Sequence, residues 1–160
     1  MPEWTGAASV LGVDASELEL NRHAKMRSLT DLRTEFHLYA VMCLNFCLNL
    51  KRRAKSLIFV ILDPPAFTKS RSSIKNASKR ITGEINLRAM KLVKDGGYLA
   101  TCSCSHFMDT ELFTKTIGEA ARNVHKRLRQ IEFRTQAPDH PVLWASDSSL
   151  YLKFYIFQVV

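Results

Sequence analysis

Three short stretches carry side chains able to do chemistry, and each stands where an apolar run stops. Asp63 follows the run 57–62 and is succeeded by Pro64 and Pro65. A carboxylate held between a strand end and two rigid prolines is positioned with little entropy loss. It can serve the amino group or ring nitrogen of a base, and the nearby Phe67 can stack on that base. The plainer reading is a proline-rich turn. Thr101, Cys102, Ser103, Cys104, Ser105 and His106 follow Gly96, Gly97 and a second apolar run. A thiol at a strand's carboxyl end, near basic residues, can act as a nucleophile, although most cysteines are small buried apolar residues. Asp14 closes the run 8–13 and precedes a helix. It is either an acceptor for the ribose hydroxyls of a nucleotide-like cofactor or a helix-capping acid. A fourth stretch, Pro138, Asp139, His140 and Pro141, is a polar loop in which a histidine is ordinarily solvated.

These residues need elements to hold them. Residues 8–13 read as a short buried strand, followed by Ser16 as N-cap of a helix to about residue 28. Residues 34–46 show no clean period of 2 or 3.6. Residues 56–62 form the clearest strand, a near-continuous apolar run of the kind that occupies a central parallel position. Residues 66–80 are rich in Ser and Lys without an acid and read as a mobile basic loop. The spacing of Ile85, Ala89, Leu92 and Val93 predicts a helix over 83–94, stopped by Gly96 and Gly97. A strand over 98–103 follows. Asp109 or Thr110 can cap the next helix, whose apolar positions are Phe113, Ile117, Ala120, Ala121, Val124 and Leu128 and whose other face carries Arg122, His125, Lys126, Arg127 and Arg129. Strands over 130–135 and 150–159 complete the order. Alternation of strands and helices indicates an α/β sheet with parallel strands, and such sheets bind ligands beyond the carboxyl ends of their strands. Asp14, Asp63 and the 102–106 string all fall at such ends.

The chain has 160 residues, about one domain, with 46% apolar and 24% charged residues, enough for a globular core. Lys plus Arg is 23 against 15 for Asp plus Glu, a net charge of +8, which suggests a polyanionic partner such as nucleic acid. No apolar run is long enough to span a bilayer, and no signal-like leader is present, so a cytoplasmic location is expected. Cys43, Cys47, Cys102 and Cys104 lack zinc-ligand spacing, so free thiols and no metal are expected.

Asp63-Pro64-Pro65-Ala66-Phe67, Glu84-Ile85-Asn86-Leu87, Gly96-Gly97, the 101–106 string and Pro138-Asp139-His140-Pro141 occur here in an order that resembles one family. It is the catalytic domain of the class I S-adenosylmethionine-dependent RNA methyltransferases that make 5-methylcytidine in large-subunit ribosomal RNA. The resemblance covers residues from about 7 to 31 and from 59 to 160. It implies a Rossmann-like class I methyltransferase fold, a mostly parallel sheet with an antiparallel edge strand, in a single partial domain over residues 1–160. S-adenosylmethionine is the implied cofactor and ribosomal RNA the implied partner. By the same resemblance Cys104 is the nucleophile, with Cys102 second. Asp63 would hold the cytosine ring, and Asp14, Asp63 and Pro64 would shape the cofactor pocket. Phe67, Lys69, Arg71 and His140 would contact the substrate.

Departures from the family pattern accompany the resemblance. The family's glycine-rich cofactor loop precedes its second strand, and neither that loop nor a recognition domain stands ahead of residue 7. Weak cofactor affinity and weak or absent activity are therefore expected of this chain. The acid usual near the end of the third strand is missing near Ala40, and Ile58 stands where Asp is common. An amino-group methyltransferase, acting on N6 of adenine or N2 of guanine, is an alternative, but that class places the aromatic directly after the prolines and Ala66 intervenes here. The other alternative is an inactive remnant that binds RNA through its basic faces.

Overall fold

The computed structural model describes residues 9–14, 16–18, 21–22, 25, 35–40, 56–65, 74–144 and 149–160. The chain divides into two compact units, Met1–Asn49 and Leu50–Val160. In the first, β1 (Ser9–Asp14) pairs in parallel with β2 (Glu35–Ala40), Asp14 opposite Ala40. Glu17, Leu18, Asn21, Arg22 and Lys25 are helical, as the reading of residues 16–28 expects. The ambiguous segment 34–46 thus contains a strand.

The second unit holds β3 (Leu57–Leu62), α1 (Ile74–Met90), β4 (Val93–Ser103), α2 (Thr110–Asn123), β5 (Leu128–Arg134) and β6 (Lys153–Val159). Its sheet has the order β3-β4-β6-β5. β3 and β4 are parallel and adjacent, as expected, while β6 runs antiparallel to both β4 and β5. The final strand is therefore the antiparallel one; it is inserted between β4 and β5, and β5 is outermost. Lys153, Tyr155, Phe157 and Val159 alternate as the buried residues of β6. Their face carries the core: Tyr155 stacks against Phe157 at 5.3 Å and meets Phe113 of α2 at 6.0 Å. Phe113, Ile117, Ala120 and Ala121 of α2 and Ile85, Ala89 and Met90 of α1 are buried, and α1 packs along α2.

Several boundaries differ from the sequence reading. The segment 66–80 is not all loop, because α1 begins at Ile74. That helix ends at Met90, not 94. Leu92 and Val93, read as its apolar face, are buried in the turn and first residue of β4. Gly96 and Gly97 lie inside β4. There the register slips, so that Leu57 faces Val93 but Phe59 faces Tyr98, and the extra residues form a bulge. Gly96 has φ 79°, and a Cβ on Gly97 would stand 2.7 Å from the carbonyl oxygen of Ile58. The pair is there because the bulge needs a left-handed residue and a close backbone approach. Among the described residues β3, expected in a central position, has one strand neighbour, β4, and Ile58, Phe59 and Ile61 are exposed. An apolar run reports what both faces can contact, not how many strands flank it.

The helix capped by Asp109 ends at Asn123. Leu128 opens β5 instead of extending the helix, and the expected basic helix face dissolves with it: only Arg122 lies on α2. Lys126 pairs with Asp95, and Arg129 Nη1 donates to Gln158 at 3.2 Å.

Candidate functional site

Parallel pairing of β3 with β4 sets Leu62 opposite Thr101, so Asp63 and Cys102, the next residues on each strand, meet beyond the pairing. The Cys102 thiol donates to Asp63 Oδ1 at 3.0 Å and to the Leu62 carbonyl at 3.4 Å. Burial first, then the hydrogen bond to Asp63 and the nearby charges of Asp63 and Cys104, push this thiol far up from its ordinary value. Cys102 is therefore a protonated, buried donor that holds the Asp63 carboxylate in place. Asp63 itself is exposed, and Pro64 behind it is half-buried.

Cys104 lies one residue past the last strand position, Ser103, and is half-buried. Extended geometry would aim both thiols to one face; the strand's end at Ser103 frees Cys104 from that rule. The chain then turns: the Ser105 carbonyl accepts the Met108 N–H at 3.2 Å, and Asp109 caps α2 by accepting the Leu112 N–H at 2.7 Å.

His140, singled out in the sequence, does reach this end of the sheet. Its Nδ1 stands 3.2 Å from Asp139 Oδ1, and its ring meets the edge of Tyr151 at 6.4 Å. Tyr151 also faces His106 at 5.8 Å. Three rings thus stand together, and one of them, His106, is two residues on from Cys104. Tyr151 and Lys153 were not visible as site residues in the sequence. The phase of Lys153 with Tyr155, Phe157 and Val159 marks it only once that face of the strand is known to be the buried one.

Asp14 ends β1 with an exposed carboxylate whose Oδ1 accepts the Ser16 N–H at 2.7 Å. Phe67, Lys69 and Arg71 lie outside the described residues, as do Cys43 and Cys47. Among the described residues, no helix is long and apolar enough to cross a membrane.

The strand order and the helices flanking β4 make the fold that of the class I S-adenosylmethionine-dependent methyltransferases. A solved Streptococcus mutans structure, proposed to be such an enzyme, superposes with a TM-score of 0.78 at 15% identity, covering 95% of this chain and 38% of that one. Another solved structure, a proposed methyltransferase with S-adenosylhomocysteine bound, gives 0.76 at 15% identity, over 93% of this chain and 39% of that one. No family model matches the chain. In sequence, the chain is similar to ribosomal RNA large subunit methyltransferase I of Pseudoalteromonas atlantica, 35% identical over 158 residues, 97% of this chain and 39% of the relative. The protein of the same name from Shewanella denitrificans is 32% identical over 157 residues, 96% of this chain and 39% of the relative. The chain thus spans about two fifths of the length of the curated relatives it matches.

Proposed function

We propose that this chain belongs to an S-adenosylmethionine-dependent methyltransferase acting on large-subunit ribosomal RNA in the cytoplasm, with C5 of a cytosine as its target. The observation that carries the reading is the division of labour at the ends of β3 and β4. Asp63 is held by a protonated Cys102, and a more accessible thiol, Cys104, stands two residues on. The names of the sequence relatives supply the substrate class.

S-adenosylmethionine, when bound, would supply a methyl group on a positively charged sulfur, which keeps the S–CH3 bond pair and becomes neutral as the methyl leaves. Asp14 fits the ribose end of that cofactor, since it is an exposed carboxylate at the carboxyl end of a parallel strand, oriented by one backbone N–H. Pro64 would wall the pocket beside Asp63. Carbon 5 of cytosine is too weak a nucleophile on its own, so covalent activation is needed. In this reading the Cys104 thiolate adds to C6, and the electron pair moves to C5, which takes the methyl group. A base then removes the C5 proton and the C6–S bond breaks, returning the thiolate. Asp63 accepts from the exocyclic amino group and, once addition at C6 has made N3 basic enough to take up a proton, from N3–H, and His140, with Tyr151 and His106, offers rings on which a neighbouring base can stack. Phe67, Lys69 and Arg71 complete the proposed substrate contacts.

The test is transfer of labelled methyl groups to large-subunit ribosomal RNA, followed by mass spectrometry of the nucleosides. Whatever methylation the chain performs should give 5-methylcytidine, lost in Cys104→Ser and retained at a measurable rate in Cys102→Ser. A product methylated on an exocyclic amino group, or undiminished transfer by Cys104→Ser, overturns the cytosine mechanism.

A further inference from the structure

Lys153 is the buried charge that the chemistry above leaves unused. Its residue is 4% exposed, on the core face of β6. Taking an ammonium out of water is strongly unfavourable unless hydrogen bonds and opposite charge compensate it. Nζ donates to the Ser105 carbonyl and to the Tyr151 carbonyl, each at 2.7 Å. Lys153 is also the register partner of Ser103. Cys104 therefore sits between the residue that faces Lys153 across the sheet and the residue whose carbonyl the ammonium holds.

We infer that Lys153 is the positioning residue of Cys104: its ammonium holds the carbonyls on either side of the site, fixes the turn that carries the thiol and places a positive charge beside it. The inference rests on the reading of Cys104 as nucleophile. Two further observations fit it. Burial lowers the Lys153 pKa, while the charges that face the ammonium, Cys104 first and Asp109 second, act to raise it. The same Nζ also anchors Tyr151, whose ring joins His106 and His140, so one charge sets both the thiol and the ring cluster beside it. The proton that leaves Cys104 goes to solvent, and Lys153 keeps its own.

Reactivity toward iodoacetamide reads this coupling without RNA or cofactor. The Cys104 thiolate displaces iodide, forming an S–C bond, and mass spectrometry of the peptide distinguishes Cys104 from Cys102. In Lys153→Met the Cys104 rate should fall about tenfold at neutral pH, and Lys153→Arg should restore most of the rate. Continued protection of Cys102 reports that the fold is intact. An unchanged Cys104 rate with Cys102 still protected overturns the inference. Should Lys153→Met fail to fold, the reciprocal measurement decides. In chain labelled with 13C at lysine Cε, the Lys153 titration should move down in Cys104→Ser relative to the parent, and identical titrations overturn the coupling. The two readings fail separately. Undiminished methyl transfer by Cys104→Ser removes the nucleophile assignment, whereas an unchanged alkylation rate removes the role of Lys153 alone.

Discussion

At the scale of single residues, two thiols two positions apart differ because one is inside the strand and the other is past its end. Cys102 is buried and donates to a carboxylate, so its ionised form is disfavoured in the folded chain. A folded-state pKa raised above the unfolded one contributes stability that is present below the ordinary thiol value of 9.0 and is lost as pH rises above it. Unfolding free energy should therefore fall more steeply above that pH in the parent than in Cys102→Ala, by at most about 1.4 kcal/mol per pH unit. Urea melts at a series of alkaline pH values measure the two slopes, and equal slopes refute the assignment. Much of this end of the sheet was legible in the sequence, because prolines after an apolar run and a thiol string after a glycine pair are local signals. Lys153 was not legible. Its neighbours Phe154 and Ile156 are as apolar as the buried Tyr155 and Phe157, so the alternation of the strand does not show which face is inside until β4 and α2 are packed against it.

Individual elements are cut by backbone geometry more than by hydrophobic spacing. α2 ends in a Schellman arrangement: Lys126 N–H reaches the Ala121 carbonyl and His125 N–H reaches that of Arg122, at 3.0 and 3.1 Å. His125 occupies the left-handed position, φ 56°, where glycine is preferred. Apolar spacing at Val124 and Leu128 carried the sequence reading past this stop, since a histidine is not the residue that ordinarily signals one. His125→Gly removes a left-handed penalty of about 1–2 kcal/mol and gives back part of it as unfolded-chain entropy, for a net gain of roughly 0.5–1 kcal/mol by denaturant melting. A loss of stability would show that the imidazole contributes more than its backbone costs. The bulge in β4 gives the opposite case. A Cβ on Gly97 would meet the Ile58 and Lys94 carbonyl oxygens at 2.7 and 2.9 Å, both backbone atoms that cannot swing away. Gly97→Ala should cost about 1–3 kcal/mol, as overpacking does. A neutral result in the same melts would mean that β3 and β4 separate at the bulge without penalty. The sequence showed the glycine pair but not its purpose, because a helix stop and a strand bulge use the same residue.

On the scale of the whole molecule, the surplus of +8 is distributed by folding, and folding withdraws part of it from any partner. Five basic residues from 122 to 129 read as one helical stripe in the sequence. In the structure only Arg122 stays on α2; Lys126 faces Asp95 and Arg129 donates to Gln158. A lysine already matched by a carboxylate presents little net charge to a phosphate, whereas Arg122 stands exposed in the last turn of the helix. Each phosphate contact on single-stranded RNA adds about 0.7 to the log–log salt slope, because neutralising a phosphate releases condensed counterions. Binding of single-stranded ribosomal RNA fragments, followed by fluorescence anisotropy across a salt series, should therefore weaken with salt. Arg122→Ala should lower the slope magnitude by about 0.7, and Lys126→Ala should leave it nearly unchanged. A salt-independent affinity would remove phosphate recognition from this chain altogether. An equal drop in both variants would restore the continuous basic stripe, because Lys126 would then have to leave Asp95 for the phosphate when RNA binds.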